Sequence, residues 1–408
     1  MNLFVMKAFV YSKRNALFLI SICTLLLTAG ACTNTPAQSG TPTIDPTQMF
    51  EHALLTATYA IVIPSKTPQP VTPSPTATAL PPTPDPNRTP PALPGAFQTD
   101  QIMPGASPHT YINNVCQYLK DRWNPNNSQP GTVVMPIMFH SITDGNVVEN
   151  NQVTHDQVEA LLRDLKSQGF QSITTTQLAN FLEHNALIPP RSVILIVDDR
   201  HYAAYFQTHF LPFLQANHWT VTNAWISTPV STQDLIDGMA ALIKAGWVDV
   251  QAHGVIHNTP IDGTSSEDYI HSELFGSISF IQQHFGKTPI AYIWPGGGFT
   301  PHAATVARQA GYQMGFTVNP RGPIMYNWVP LGDSVDLRYP SYIPEGPVND
   351  PLMVLPRYWD TDAFSHIDEV RTMGKQAAAY ASQNKATELE YYDIVCKSIT
   401  GLIPTAQP

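Results

Sequence analysis

Charged residues are scarce in this chain of 408 residues: Asp, Glu, Lys and Arg together make up 13% of it, and the formal net charge is -10. No cluster of Lys and Arg occurs beyond the first residues. Binding to nucleic acid needs a concentrated basic face that neutralises phosphates. We therefore expect no nucleic-acid partner.

A hydrophobic run of the roughly 20 residues that span a bilayer is also lacking. The apolar run at residues 16–27 is shorter, follows three basic residues, and ends in small residues that lead to Cys32. This pattern is typical of an export signal, and it resembles a bacterial lipobox, with Ala29 where Leu is more common. We expect residues 1–32 to be a lipoprotein signal peptide and the exported protein to be lipid-anchored at Cys32 to the bacterial cell membrane, facing the exterior. An ordinary cleaved signal peptide is the alternative.

Cysteines are few, at four, and each has a distinct context. Cys23 lies in the signal, and Cys32 would carry the lipid. Cys116 and Cys396 remain, in similar surroundings near the two ends of the folded region. Because an exported protein meets oxidants, we predict a Cys116–Cys396 disulfide, with two buried free thiols as the alternative.

Proline, in contrast, is abundant, and most of the excess lies with Thr in residues 33–105. Such a composition cannot bury a core and favours extended chain. At about 3.1 Å per residue this segment could reach about 200 Å, so we predict a disordered tether. Residues 49–63 form a more apolar island within it, and we assign them no role.

The pattern changes after Gly131, where apolar runs of strand length alternate with amphipathic helices. Predicted strands are 133–139, 172–173, 193–197, 221–226, 247–252, 291–294, 314–318 and 352–355. Predicted helices are 154–169, 174–184, 231–246, 266–286, 300–311 and 363–384; the first two open on Thr-x-x-Gln capping boxes, and Ser231 caps the third. Alternating strands and helices indicate an α/β fold with a parallel sheet, and the number of units favours a closed (β/α) barrel over an open sheet.

Polar residues follow the predicted strands at the ends where a barrel places its active site. These strand endings are His140, Asp198-Asp199, His253, Trp294-Pro295-Gly296 and Arg357. The convergence of these residues on one rim is the strongest evidence for a functional site that the residues alone provide.

Two of these endings suggest a metal site. Asp198 and Asp199 follow a buried apolar strand, where two acids need a metal or a cation as a partner; a helix cap or turn is the alternative reading. His253 and His257 are four residues apart and would share a face on a helical turn, although chance pairs occur in a chain with 14 histidines. One carboxylate and two imidazoles leave open positions for water and substrate, as in hydrolytic metal sites.

Four segments resemble motifs of the polysaccharide deacetylase family, which is also described as NodB-homology or carbohydrate esterase family 4-like. They are the Asp-Asp motif at 195–199, the His motif at 253–257, the aromatic-Pro motif at 291–296 and the Tyr-His-Ser strand at 136–142. Their order resembles the permuted subgroup that includes poly-N-acetylglucosamine deacetylases. The resemblance spans about residues 133–359 and implies a distorted seven-stranded barrel within a catalytic domain at 106–405.

The resemblance also implies roles for these residues. Asp198 would be the general base towards the attacking water, His140 the general acid towards the leaving amine, and Arg357 would orient Asp198. The implied ligands of a divalent metal, most plausibly zinc, are Asp199, His253 and His257. The implied substrate and oxyanion contacts are Trp294, Pro295 and Gly296. Three aromatic residues would either line a sugar groove or pack the barrel, namely Trp294, Tyr358 and Trp359.

The sequence departs from the family pattern at the mouth of the site. Arg200 stands where the family has Gly, and Gly296–Gly298 replace an aromatic residue. Because the implied ligands and base are intact, we expect a monomeric metal-dependent N-deacetylase acting on an acetylated, N-acetylglucosamine-containing polysaccharide. The alternatives are a non-catalytic carbohydrate-binding lipoprotein on the same scaffold and, less in keeping with the Asp pair, an iron oxygenase.

Overall fold

The computed structural model describes residues 88–256 and 259–406 of the chain. The predicted signal peptide with Cys32, the island at 49–63 and the predicted ligand His257 lie outside the described residues. Across the described part of the chain, no helix has both the length and the apolar character needed to cross a membrane.

Twelve strands occur in the described ranges. They are β1 Ala106–His109, β2 Val133–Phe139, β3 Ser141–Thr143, β4 Gln152–Thr154, β5 Gln171–Ser172, β6 Arg191–Val197, β7 Val221–Trp225, β8 Val248–Ala252, β9 Ala291–Ile293, β10 Met314–Phe316, β11 Val329–Gly332 and β12 Tyr358–Trp359.

Ten α-helices accompany these strands in the same ranges. They are α1 Val115–Trp123, α2 His155–Ser167, α3 Thr175–His184, α4 Ala203–His209, α5 Leu211–Asn217, α6 Gln233–Lys244, α7 Glu267–Phe285, α8 Pro301–Ala310, α9 Ala363–Tyr391 and α10 Lys397–Thr400.

Seven parallel strands form one path in the order β10-β9-β8-β7-β6-β2-β12, and β5 pairs beside β6. Leu355, just before β12, forms a parallel bridge with Phe316 of β10. The Leu355 N–H donates to the Gly315 carbonyl at 2.8 Å. Since the two ends of the path meet at this bridge, the predicted distorted seven-stranded (β/α) barrel is confirmed.

The local sequence explains most of these elements. Strand β2 and residues 193–197 of β6 are continuous apolar runs because helices cover the sheet, and every residue of β2 is buried. Thr154 and Thr174 form the predicted capping boxes with Gln157 and Gln177, each side chain satisfying the other residue's backbone N–H. Gly311 ends α8 in the left-handed conformation that glycine adopts readily.

The predicted strand at residues 352–355 is wrong. Pro351–Met353 form a 3-10 turn, Leu355 makes a single bridge, and the strand itself lies at Tyr358–Trp359. Proline favours the first position of such a turn and cannot donate to a ladder, so Pro351 and Pro356 displace the pairing towards the C-terminus.

Helix α6 begins one residue later than predicted, with Thr232 rather than Ser231 as its N-cap. The Ser231 hydroxyl is engaged elsewhere: it donates to the Thr228 carbonyl and accepts from Arg200. The last predicted helix is also longer than expected, because α9 continues to Tyr391.

The last part of the predicted tether lies against the domain. Ile102 is buried, and the Phe97 carbonyl accepts a hydrogen bond from the Trp328 indole at 2.8 Å. These contacts, together with the packing of the Phe97 ring on the Trp328 ring, place residues 88–105 against the domain, where disordered chain was predicted. Nearby, Cys116 of α1 and Cys396 are joined by a disulfide.

Candidate active site

The rim of the barrel holds a buried ion pair between Asp198 and Arg357. Asp198 follows β6, and both of its oxygens accept from the Arg357 guanidinium, at 2.6 and 3.0 Å. Both side chains are almost fully buried, and the Arg357 Nε also donates to the Thr317 carbonyl at 2.7 Å. Burial alone would raise the pKa of Asp198, but Arg357, His253 and His140 outweigh it and lower the pKa to about 2. Asp198 is therefore a carboxylate at neutral pH.

His140 lies beside this carboxylate at the end of β2. Its Nε2 is 3.4 Å from Asp198 Oδ2, and its ring stacks on the Trp359 indole with centroids 5.1 Å apart. Burial lowers the pKa of His140, and the charge of Arg357 lowers it further against the opposing effect of Asp198. The stacked ring is held in one orientation with an edge against Asp198, which suits proton transfer.

Asp199 turns out of the strand in a left-handed conformation, with φ of 69°. This turn explains how two consecutive acids face one site although neighbours on a strand point to opposite sides. Asn223 of β7 stabilises the turn, since its amide donates to the Val197 and Asp199 carbonyls at 2.9 and 2.8 Å.

His253 directly follows β8, which is separated from β6 by β7 in the sheet. Its side chain approaches Asp199. Its Nδ1 donates to the Ile293 carbonyl at 2.8 Å, so Nε2 is the nitrogen that carries the lone pair in the neutral tautomer. That Nε2 lies 3.9 Å from Asp199 Oδ1. An imidazole nitrogen and a carboxylate oxygen are donors that zinc accepts, so the chemistry of this pair fits a divalent metal.

The predicted helical turn after His253 does not form over the described residues. Gly254 has φ of 73° and residues 255–256 make a bend. His257, the third predicted ligand, lies outside the described residues. Within residues 88–256 and 259–406, no group of three or more His, Cys, Asp or Glu side chains is arranged to hold a metal ion.

The predicted substrate contacts differ in exposure. Trp294 is fully buried and donates through its indole to the Met353 carbonyl, so it packs the barrel and presents no face to solvent. Tyr358 is buried in the same way. Pro295 is buried, whereas Gly296 is exposed with φ of 57°. Of the three candidate groove aromatics, only Trp359 keeps an exposed portion next to His140.

Arg200, the departure at the mouth, joins two loops of the rim. Its guanidinium donates to the Ser231 hydroxyl at 3.0 Å, which links the loop after β6 to the loop after β7. The side chain is half-buried. Arg200 therefore forms part of the wall of the mouth.

Sequence reasoning missed two buried acids of this region. Asp360 follows β12 directly, and burial raises its pKa to about 7. Glu273 lies in the middle of α7 and accepts hydrogen bonds from the turn after His253. Asp360 stands at a strand end and could have been found by the rule that found the others, whereas Glu273 belongs to a helix and gives no such signal.

Comparison with known proteins bears on the central part of the chain. Residues 188–315 match the family model described as polysaccharide deacetylase. This range includes Asp198, Asp199 and His253 and excludes His140 and Arg357. The predicted resemblance to polysaccharide deacetylases is therefore confirmed, while the roles of the individual residues stay predictions.

Several solved structures resemble the fold. Streptococcus pyogenes deacetylase PplD is 18% identical, with a TM-score of 0.47 over 60% of this chain and 99% of that one. A de-N-acetylase from Aggregatibacter actinomycetemcomitans is 16% identical, with a TM-score of 0.45 over 58% and 99%. IcaB from Ammonifex degensii is 13% identical, with a TM-score of 0.44 over 60% and 98%. No curated protein matches the chain.

Proposed function

We propose that the chain hydrolyses the N-acetyl groups of a cell-envelope or extracellular polysaccharide that contains N-acetylglucosamine, because its residues 188–315 match the polysaccharide deacetylase family model. The observation that carries this proposal is the contact of Asp198 with both Arg357 and His140 on the rim of the barrel. An ionised carboxylate and an imidazole on the same rim of the barrel could act as proton acceptor and proton donor for the hydrolysis of one amide bond.

In this proposal the protein holds a divalent metal, and the expected ion is zinc. Asp199 and the free Nε2 of His253 would bind it, together with His257. When bound, such an ion lowers the pKa of water and polarises a carbonyl. The bond from Nδ1 to the Ile293 carbonyl supports the assignment, because it selects the tautomer in which Nε2 carries the lone pair of the neutral ring.

The protein's own residues would divide the proton transfers of amide hydrolysis. Asp198 accepts the proton of the attacking water, and Arg357 keeps that carboxylate ionised and oriented through its two bonds. His140, while protonated, would give its proton to the nitrogen of the leaving amine, and the proton that Asp198 takes from water would restore it across their 3.4 Å contact. A backbone N–H at the exposed Gly296 would stabilise the negative oxygen of the attacked carbonyl.

We further propose that the protein works outside the cytoplasm, anchored by a lipid on Cys32. The signal-like N-terminus and the lipobox-like residues before Cys32 support this location. The Cys116–Cys396 disulfide supports it independently, because disulfides persist in oxidising compartments.

The proposal is tested by acetate release from N-acetylglucosamine oligomers with the full-length protein in detergent. We expect release that stops on chelation, returns with Zn²⁺, and falls by at least about 100-fold in Asp198→Asn, the scale typical of a lost general base. Asp249→Asn is the matched control, because it makes the same chemical change at the N-terminal end of β8, away from the rim. Asp249 there pairs with Lys287. If metal is bound and no acetylated glycan releases acetate, the carbohydrate-binding alternative replaces the deacetylase.

A further inference from the structure

Glu273 is a buried carboxylate in the middle of α7, with 0% of its surface exposed. Burial raises its pKa, and hydrogen bonds from the backbone N–H groups of Val255 and Ile256 act in the opposite direction. A buried acid is costly unless its oxygens are satisfied. Here the oxygens accept from backbone N–H groups of the turn that follows His253. Glu273 therefore lies beside the candidate metal site.

The contacts between Glu273 and this turn are specific. Val255 N–H donates to Oε2 at 2.8 Å, and Ile256 N–H donates to Oε1 at 3.1 Å and to Oε2 at 3.3 Å. Both donors lie between His253 and His257 in the chain. One carboxylate therefore binds two of the three residues that separate the two predicted histidine ligands in the chain.

Gly254 completes this arrangement. Its φ of 73° lies in the region that glycine adopts readily. A Cβ at this position would overlap Glu273 Oε2 and approach the Pro295 ring at 3.0 Å. The absence of a side chain at Gly254 is what lets the carboxylate reach the turn.

Two different elements thus fix the two parts of the motif. Strand β9 fixes the His253 ring through the Ile293 carbonyl, and α7 fixes the backbone that leads to His257. A carboxylate suits the second task better than an amide, because the Ile256 N–H donates to both of its oxygens, whereas an amide would place its own N–H groups against that donor.

We propose that Glu273 is the positioning residue of the turn after His253: its carboxylate, admitted by Gly254, sets the backbone of residues 254–256 and so contributes to metal binding at the candidate site. The inference rests on the proposed function, since it needs a metal at these residues. Outer partners that orient metal ligands contribute typically on the order of 10- to 100-fold to metal affinity or activity.

The test is the affinity of the full-length protein for Zn²⁺, measured by competition with a chromophoric chelator, for wild type and Glu273→Gln. We expect Glu273→Gln to weaken binding about 10- to 100-fold and to change the visible absorption of the Co²⁺-substituted protein, which reports ligand geometry. Ser277→Ala is the matched control: it removes a buried polar group of the same helix, one turn from Glu273 and without contact to the turn. It should leave affinity and spectrum as in wild type.

Each outcome has one meaning. Wild-type affinity and spectrum in folded Glu273→Gln overturn the inference, as does an equal loss in Ser277→Ala, which would show a general effect of disturbing α7. A wild type that binds no metal refutes the proposed metal site instead. If Glu273→Gln does not fold, Gly254→Ala decides, because it displaces the turn and keeps Glu273: weaker Zn²⁺ binding supports the inference, and unchanged binding overturns it.

Discussion

The guanidinium of Arg357 is entirely buried and gives hydrogen bonds to the Asp198 carboxylate and the Thr317 carbonyl. Burying two charges has a large desolvation cost, which their attraction and good geometry offset. If either partner is removed, the other remains as an uncompensated charge in the barrel. Arg357 is therefore as important for the stability of the rim as for the state of Asp198.

We expect Arg357→Met to lower the free energy of unfolding by about 3–5 kcal/mol and to abolish acetate release, because Asp198 loses the cation that keeps its pKa low. Urea denaturation measures the first effect. Arg308→Met is the matched control: Arg308 also binds its partner, Asp350, with two bonds, but both side chains are about one-third exposed. It should cost at most about 1 kcal/mol, and equal costs for the two variants would contradict the prediction.

At the scale of elements, the start of α9 carries an acid–base cluster close to the rim. His366 lies 2.7 Å from a Glu369 oxygen and 3.8 Å from an Asp362 oxygen, and its ring lies near Tyr358. Asp362 above all, and then Glu369, raise its pKa to about 9 against the effect of burial. The cluster therefore stabilises the fold while His366 is protonated.

This gives a pH dependence of stability with a defined sign. Because the folded-state pKa is raised from 6.5 to about 9, the contribution is complete below pH 6.5 and is lost as the pH rises through about 9. We expect His366→Gln to lower the free energy of unfolding relative to wild type, and we expect this loss to be larger at pH 6 than at pH 10. A chemical-shift titration of His366 should give a lower pKa in Asp362→Asn, and an unchanged difference between pH 6 and pH 10 would refute the prediction.

The elements that the sequence could predict are those with a local signal. Capping boxes at Thr154 and Thr174 and the buried run of β6 depend on neighbours in the chain, so the pattern alone was sufficient. The rule that sites gather after barrel strands led to His140 and Asp198 for the same reason. Glu273 could not be predicted, because its partners lie in a turn that reaches α7 only when the barrel has formed.

At the scale of the whole molecule, the Cys116–Cys396 disulfide joins α1 to the C-terminal end of the domain across 280 residues. Cys116, Leu119, Tyr392 and Cys396 form a small apolar cluster of their own, apart from the barrel core. Since the cluster buries few side chains, a covalent link has a large share in holding the two ends together.

We expect the double variant Cys116→Ser, Cys396→Ser to lose about 2–5 kcal/mol of stability, the range found for native disulfides in small exported domains, while Zn²⁺ affinity stays as in wild type because the rim contains neither residue. Thermal unfolding and chelator competition measure the two effects. Loss of Zn²⁺ affinity in the folded double variant would show that the disulfide also shapes the site.

The closing strand of the barrel has one more consequence, which concerns the order of synthesis. Arg357 follows Asp198 by 159 residues, so the ribosome releases His140, Asp198 and His253 well before it. A nascent chain that ends before Leu355 has neither the bridge that joins the two edges of the sheet nor the cation that Asp198 needs. Barrel closure and the Asp198–Arg357 ion pair therefore depend on the same late segment of the chain, and no chain that ends before Leu355 can complete the rim.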